Sequence, residues 1–253
     1  MEFNILPLFK SHYSLGRSIL TLSDPDDSNG PDSIFSILKE SDMKMFYLID
    51  DSMSGFLEAY THAKEEGIQL VFGLRLSVCE NIEEKTPESL KKECKYIIFV
   101  KNTQGYKRLI KIYSDASQDG FYYQPRIDFN TLKKYWSEKD LMLVVPFYDS
   151  FLFKNSLQNC LCVPDFSFSE PKFFIENNDI PFDPLMKKRV TEYASDNSYE
   201  ALNSQSIFYK NKQDFKSYLT FRCINNRTTL NKPNLEHMCS DQFSFESWKE
   251  KNG

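Results

Sequence analysis

YIIFVKNTQGYKRLIKIYSDA, residues 96–116, carries two structural signals side by side. Its opening YIIFV is a short, unbroken apolar run rich in β-branched and aromatic residues, which predicts a strand buried on both faces, of the kind parallel sheets use. The apolar period then changes: Tyr106, Leu109, Ile110 and Tyr113 recur at helical spacing and mark one face of a helix over 104–116. A strand feeding a helix predicts a βα unit. FYYQPRIDF, residues 121–129, follows as an aromatic loop interrupted by Pro125, leading into a helix over 130–136 and an apolar strand over 141–145 closed by Pro146.

The alternation extends both ways. Residues 3–9 read as a short strand interrupted by Pro7, delivering the polar loop Lys10-Ser11-His12-Tyr13-Ser14 at its C-terminal end, where α/β sites usually sit. SDPDDSNGP, 23–31, is a loop by composition, and Asp32-Ser33 caps a helix carrying Ile34, Ile37 and Leu38. A strand over 45–49, a helix over 55–66 ended by Gly67, a strand over 69–78 and an acidic, solvated excursion over 80–88 complete the first half. Downstream, strands are expected over 172–176 and 206–210 and helices over 185–194 and 212–220. From 226 the chain is polar and poorly periodic, so a domain over 1–225 is expected, with an irregular extension over 226–253 packed on it or following it. Repeated βα units without an internal repeat favour a single α/β domain, either a barrel or an open sheet.

With 253 residues, 26% charged and 41% apolar, the chain can bury a real core but cannot hold a complete replicative polymerase. A net charge of −5 argues against a basic nucleic-acid binder, leaving only local patches to consider. Eight glycines and three histidines (His12, His62 and His237) leave little material for a glycine-rich phosphate cradle or a histidine-built metal cluster. No run reaches the roughly 18 apolar residues of a membrane span, and the N-terminus lacks a signal peptide's pattern, so a cytoplasmic protein without membrane association is expected. There the six cysteines would stay reduced. Cys160 and Cys162 form a lone C-x-C, and all six read as ordinary buried thiols.

Five strings, in order, carry a family likeness: SHYSL at 11–15, GIQLVFGLRL at 67–76, IIFVKNTQGYKRLIKIYSDA at 97–116, GFYYQPRID at 120–128 and SIFYKNKQDF at 206–215. Together they resemble the PHP (polymerase and histidinol phosphatase) domain that opens the alpha subunit of bacterial DNA polymerase III, over nearly the whole chain. The resemblance implies a distorted seven-stranded β/α barrel whose rim, in active members, holds two or three metal ions that hydrolyse phosphate esters. Closely spaced metals do this by clamping attacking and leaving oxygens and supplying a hydroxide at neutral pH.

Matched to that pattern, the first H-x-H motif falls on Leu8-Phe9-Lys10, and His12 stands where the family usually has an acid. The Asp-His motif falls on Ile49-Asp50-Asp51, keeping carboxylates and losing the histidine. The glutamate of G-x-E becomes Arg75, and the late Asp-x-His becomes Ser206-Ile207-Phe208. Glu176 is the retained glutamate. Positive charge at Lys10 and Arg75 repels cations, so the resemblance, so altered, implies a metal-free domain. The alternative is one Mg²⁺ or Mn²⁺ on Asp50, Asp51, Glu176 and Asp149. Against it stands pairing of Lys10 and Arg75 with these same acids.

Three functions compete: a non-catalytic module docking on, or beginning, a replicative polymerase or joining another replisome protein; a phosphoesterase or 3′–5′ exonuclease using His12, Asp50, Asp51 and Glu176; and a nucleic-acid binder keeping only the fold. Lys101, Lys107, Arg108 and Lys111 could touch a phosphate backbone weakly, although solvation of a polar helix face is the default. Phe121, Tyr122 and Tyr123 are expected to pack against the barrel rather than stack on bases. Abundant Lys, Asn, Phe and Tyr hint at an AT-rich genome such as that of a bacterial virus.

Overall fold

A computed structural model describes residues 3–24, 30–231 and 238–252. His237 and the centre of the 23–31 loop lie outside them. Among the described residues eight strands are present: β1 (Leu6–Phe9), β2 (Met45–Asp50), β3 (Gln69–Cys79), β4 (Cys94–Val100), β5 (Arg126–Asp128), β6 (Leu141–Val145), β7 (Lys172–Ile175) and β8 (Ala201–Ile207). They hydrogen-bond in the order β2-β1-β8-β7-β6-β4-β3-β5, and β2 also pairs with β3. Seven strands therefore close into a barrel and β5 lies outside the ring on β3. The helices are α1 (Ile34–Glu40), α2 (Phe56–Glu65), α3 (Thr103–Ser117), α4 (Phe129–Tyr135), α5 (Phe151–Leu157), α6 (Asp183–Asp196), α7 (Phe215–Asn225) and α8 (Phe245–Asn252). Among the described residues no helix is long and apolar enough to cross a membrane.

The chain divides into two compact units, one of Met1–Phe72, Glu176–Pro184 and Asn203–Gly253, the other of Gly73–Ile175 and Leu185–Leu202. In the first, β1 runs parallel to β2 and β8. Helix α1 starts because the Ser33 hydroxyl accepts the Ser36 N–H, and its buried face is Ile34, Phe35, Ile37 and Leu38. Phe35 meets Phe46 edge-on at 5.5 Å, and Phe46 meets Phe9 at 6.3 Å. Such pairs add about 0.5–1.5 kcal/mol each beyond simple burial. Helix α2 ends at Gly67, whose φ of +66° lies in the left-handed region where a side chain would be strained.

Of the extension expected to be irregular, the described residues 238–252 form a 3-10 turn, Asp241–Phe243, and α8, packed on this unit. Phe208 N–H bonds Phe243 O, Tyr209 bridges Ser244, and α8 follows. Phe245 stacks on Phe9 at 5.9 Å. The Trp248 indole N–H donates to Ile5 O at 2.9 Å, and Asn252 Oδ1 accepts Ile5 N–H at 3.2 Å. Two apolar residues one helical turn apart, Phe245 and Trp248, are enough to bury the helix, though too few to show as a periodic pattern.

In the second unit, YIIFV is buried as expected but is antiparallel to both β3 and β6, not parallel. The connection over 80–93 contains only a short 3-10 turn, Ser89–Lys92, so the chain returns on itself instead of crossing over through a helix. The β3–β5 and β6–β7 pairs are parallel. Asn102 caps α3 by accepting the Gly105 N–H, and a Cβ on Gly105 would stand 2.2 Å from Asp140 O, so glycine is required there. Arg126, expected in a loop, is a wholly buried β5 residue. Its guanidinium donates to Gly120 O, Ser89 Oγ, Ile82 O and Glu84 O and lies 3.9 Å from the Glu93 carboxylate. It thereby ties down the acidic excursion. Phe121 and Tyr123 are exposed rather than packed, and only Tyr122 is sheltered, beneath Arg126. Of the cysteines, Cys239 is exposed and Cys160 half-buried, while the other four are buried.

Candidate functional site

Strand β1 ends next to Lys10, and with Leu8 this is the pair that the resemblance matches to the first family ligands. Leu8 is buried in the apolar core, and Lys10, 6% exposed, places its Nζ 3.3 Å from Asp51 Oδ2. One residue away, Asp50 is fully buried and enclosed by hydroxyls. Ser11 N–H donates to its Oδ1 at 2.9 Å, Ser11 Oγ to Oδ2 at 2.6 Å, and Ser14 Oγ to Oδ1 at 2.8 Å. Ser14 Oγ in turn accepts the Asp51 N–H. The Lys10–Ser14 loop thus clamps the end of β2: one carboxylate takes hydroxyl donors and the next takes a lysine.

His12 does not join them through any observed bond. Its backbone N–H bonds Leu20 O, its ring lies 4.3 Å from that of Tyr13, and its Nδ1 is buried without a hydrogen-bond partner among the described residues. Tyr13 and Ser23 both donate to Glu58, at 2.8 and 2.9 Å. His62 lies on α2, half-buried, 3.6 Å from Glu65.

Glu176 follows β7. Its Oε2 accepts Ser206 N–H and Asn178 Nδ2, and its Oε1 accepts Ser206 Oγ, all at 2.8 Å. Burial dominates over these donors and pushes its carboxyl up to about 7. Ser206, which the resemblance matches to an aspartate, donates to this carboxylate. Phe208, which it matches to a histidine, is stacked between Tyr218 and Phe243 at 5.6 and 5.1 Å.

In the second unit, Arg75 is buried on β3 and pairs through its guanidinium with Asp149. Asp149 has a φ of +61°, a conformation Asp tolerates better than most residues, and its carbonyl accepts the Lys95 N–H. On α3, Lys107 and Lys111 are exposed, whereas Arg108 is held by Asp140 at 2.8 Å and Tyr135 O at 2.9 Å, and Lys101 by Glu138 O.

A family model for the PHP domain matches residues 21–157. The chain belongs to the PHP domain family. DNA polymerase III subunit alpha of Borreliella burgdorferi is 27% identical over 265 aligned residues, covering 95% of this chain and 21% of the relative. The subunit of the same name from Helicobacter pylori is 33% identical over 39% of this chain and 8% of its own length, and that from Aquifex aeolicus 23% identical over 71% and 16%. The chain therefore spans about a fifth or less of these relatives. The PHP barrel and the likeness to these polymerase subunits agree with what the five sequence strings imply.

Sequence reading missed the two serines. Ser11 and Ser14 satisfy Asp50, and the signal was the polar loop at the end of a short strand. Asn178, which donates to Glu176, and Glu58, which gathers Tyr13 and Ser23, carry no motif.

Proposed function

We propose that this PHP domain has exchanged catalytic cations for side-chain cations and serves DNA replication as a structural module that docks on, or begins, a replicative polymerase. The observation that carries the reading is the Lys10–Asp51 ion pair: an ammonium group occupies a family ligand position and already neutralises a retained acid. The residues at the family's ligand positions do not fit the metal cluster, because Leu8 and Phe208 offer no donor, Arg75 is cationic, and Asp50 and Glu176 are engaged by Ser11, Ser14, Ser206 and Asn178. No hydrolytic step is therefore assigned to the domain. The likeness to polymerase subunits supports a polymerase or another replisome protein as partner. Of the four α3-side cations, Lys101, Lys107 and Lys111 are exposed and offered for weak contact with a DNA backbone.

Elemental analysis of protein purified without chelators tests the reading. Well under one equivalent of Mn, Zn or Fe per chain is expected. More than one tightly bound equivalent would overturn it and favour a phosphoesterase built on His12, Asp50, Asp51 and Glu176.

A further inference from the structure

The loop before β5 places two aromatic rings in solvent: Phe121 is 49% exposed and Tyr123 80%. Tyr122 N–H bonds Gln124 O at 3.1 Å, so the chain turns about Tyr123, whose φ of +60° lies in the left-handed region that bulky residues rarely adopt. The base of the turn is fixed. Gln124 Nε2 donates to Glu93 at 2.6 Å, and its Oε1 accepts Lys95 Nζ at 2.8 Å. No burial of Tyr123 offsets its backbone strain; the ring is held out in one place as a rigid contact group.

Beside this loop, the 80–93 excursion and the start of α4 enclose an open groove of about 550 Å³, whose lining includes Glu80, Glu83, Glu84, Asp128 and Lys92. Four carboxylates there share one ammonium, that of Lys92, which lies 2.7 Å from Glu80 and 3.8 Å from Glu84. Lys85 and Lys91, the other lysines of the excursion, do not line the groove. The Arg126 guanidinium joins the two features. It donates to Gly120 O, next to Phe121, lies 5.1 Å from the centre of the Tyr122 ring, and donates to Ile82 O and Glu84 O on the excursion. A guanidinium on a tyrosine ring is thus a contact this loop already makes within the chain.

We propose that the 121–123 loop and the adjoining groove dock an arginine-bearing segment of a partner protein. Charge complementarity selects the occupant: carboxylates in excess attract a cationic segment and repel a nucleic-acid backbone. Exposed rings beside carboxylates select arginine over lysine, because a planar guanidinium stacks on an aromatic face and bonds a carboxylate through two N–H groups, which an ammonium cannot do. One guanidinium enters the groove to meet Glu83 and Glu84, and a neighbouring one lies on the Tyr123 ring. None of these residues stands at a family ligand position, so the surface goes beyond the reading above and holds whether or not the domain binds metal.

The test titrates the full chain into a fluorescein-labelled peptide of alternating arginine and glycine at about 50 mM salt and reads fluorescence anisotropy. Saturable binding is expected, with the matching lysine–glycine peptide about fivefold or more weaker. Phe121→Ala with Tyr123→Ala, and separately Glu83→Gln with Glu84→Gln, should each weaken binding about tenfold. Tyr60→Ala, which removes an exposed tyrosine on α2, should leave it unchanged. Tyr123→Gly separates binding from folding: it removes the ring and relieves the left-handed backbone, so affinity falls while the melting temperature does not. The proposal is overturned by no binding at about 1 mM protein, by equal affinity for the two peptides, or by affinity that the loop and groove substitutions leave unmoved. A labelled oligothymidylate that binds the full chain and is released by Phe121→Ala with Tyr123→Ala would overturn it too, by giving the loop to nucleic acid.

Discussion

Replacing Asp51 by Asn should destabilise the protein more than replacing Lys10 by Met, although both break the same ion pair. At 3.3 Å the two charges attract by about 5 kcal/mol at an effective dielectric of ~20, and by about 1 kcal/mol in water. Most of that attraction offsets desolvation, and desolvation is unequal: the Lys10 side chain is 8% exposed and that of Asp51 25%. Lys10→Met leaves a carboxylate that water can reach, at a cost of about 0–1.5 kcal/mol. Asp51→Asn takes the counter-charge from a buried ammonium, at a cost of about 2–4 kcal/mol. The double variant should recover towards wild type, with a coupling of about 1–3 kcal/mol in the cycle. Urea unfolding followed by the fluorescence of Trp136 and Trp248 reads all four proteins. Equal losses for the two single variants, or coupling within about 0.3 kcal/mol of zero, would refute the view that this lysine is a structural counter-ion.

Glu176 gives a pH signature. Its carboxyl is raised to about 7 from an ordinary 4.5, so between those values the folded state binds more protons than the unfolded state and stability falls as pH rises, by up to about 3 kcal/mol in total. Glu176→Gln should flatten that decline, and an unchanged slope between pH 5 and 7 in urea titrations would count against it. Arg126→Met removes a wholly buried guanidinium and strands Glu93, which should cost about 3–5 kcal/mol and open the 80–93 excursion to proteases. A variant within about 1 kcal/mol of wild type, equally resistant to digestion, would show that the excursion is held by other means.

What the sequence disclosed follows from how local each signal is. Ser33 before α1 and Gly67 after α2 act within a few residues, and both ends lie where the sequence puts them. The direction of β4 does not, because a strand buried on both faces reads the same whether its neighbours run parallel or antiparallel. Three-residue β5 and seven-residue α5 are too short to show a period. At the site, the scarcity of histidines was legible in the sequence. The division of labour between Asp50, held by serines, and Asp51, held by lysine, was not, because adjacent carboxylates are equivalent until a loop has chosen between them.

The clasp of α8 on Ile5 joins positions 247 residues apart. At a synthesis rate of about 5–20 residues per second, a nascent chain would wait on the order of 10–50 s between making β1 and making the helix that holds it. Throughout that interval Phe9 lacks Phe245 and one edge of β1 lacks β8. Strand β1 is thus made before the strand and helix that complete it, and until they follow its open edge is available to chaperones or to another chain.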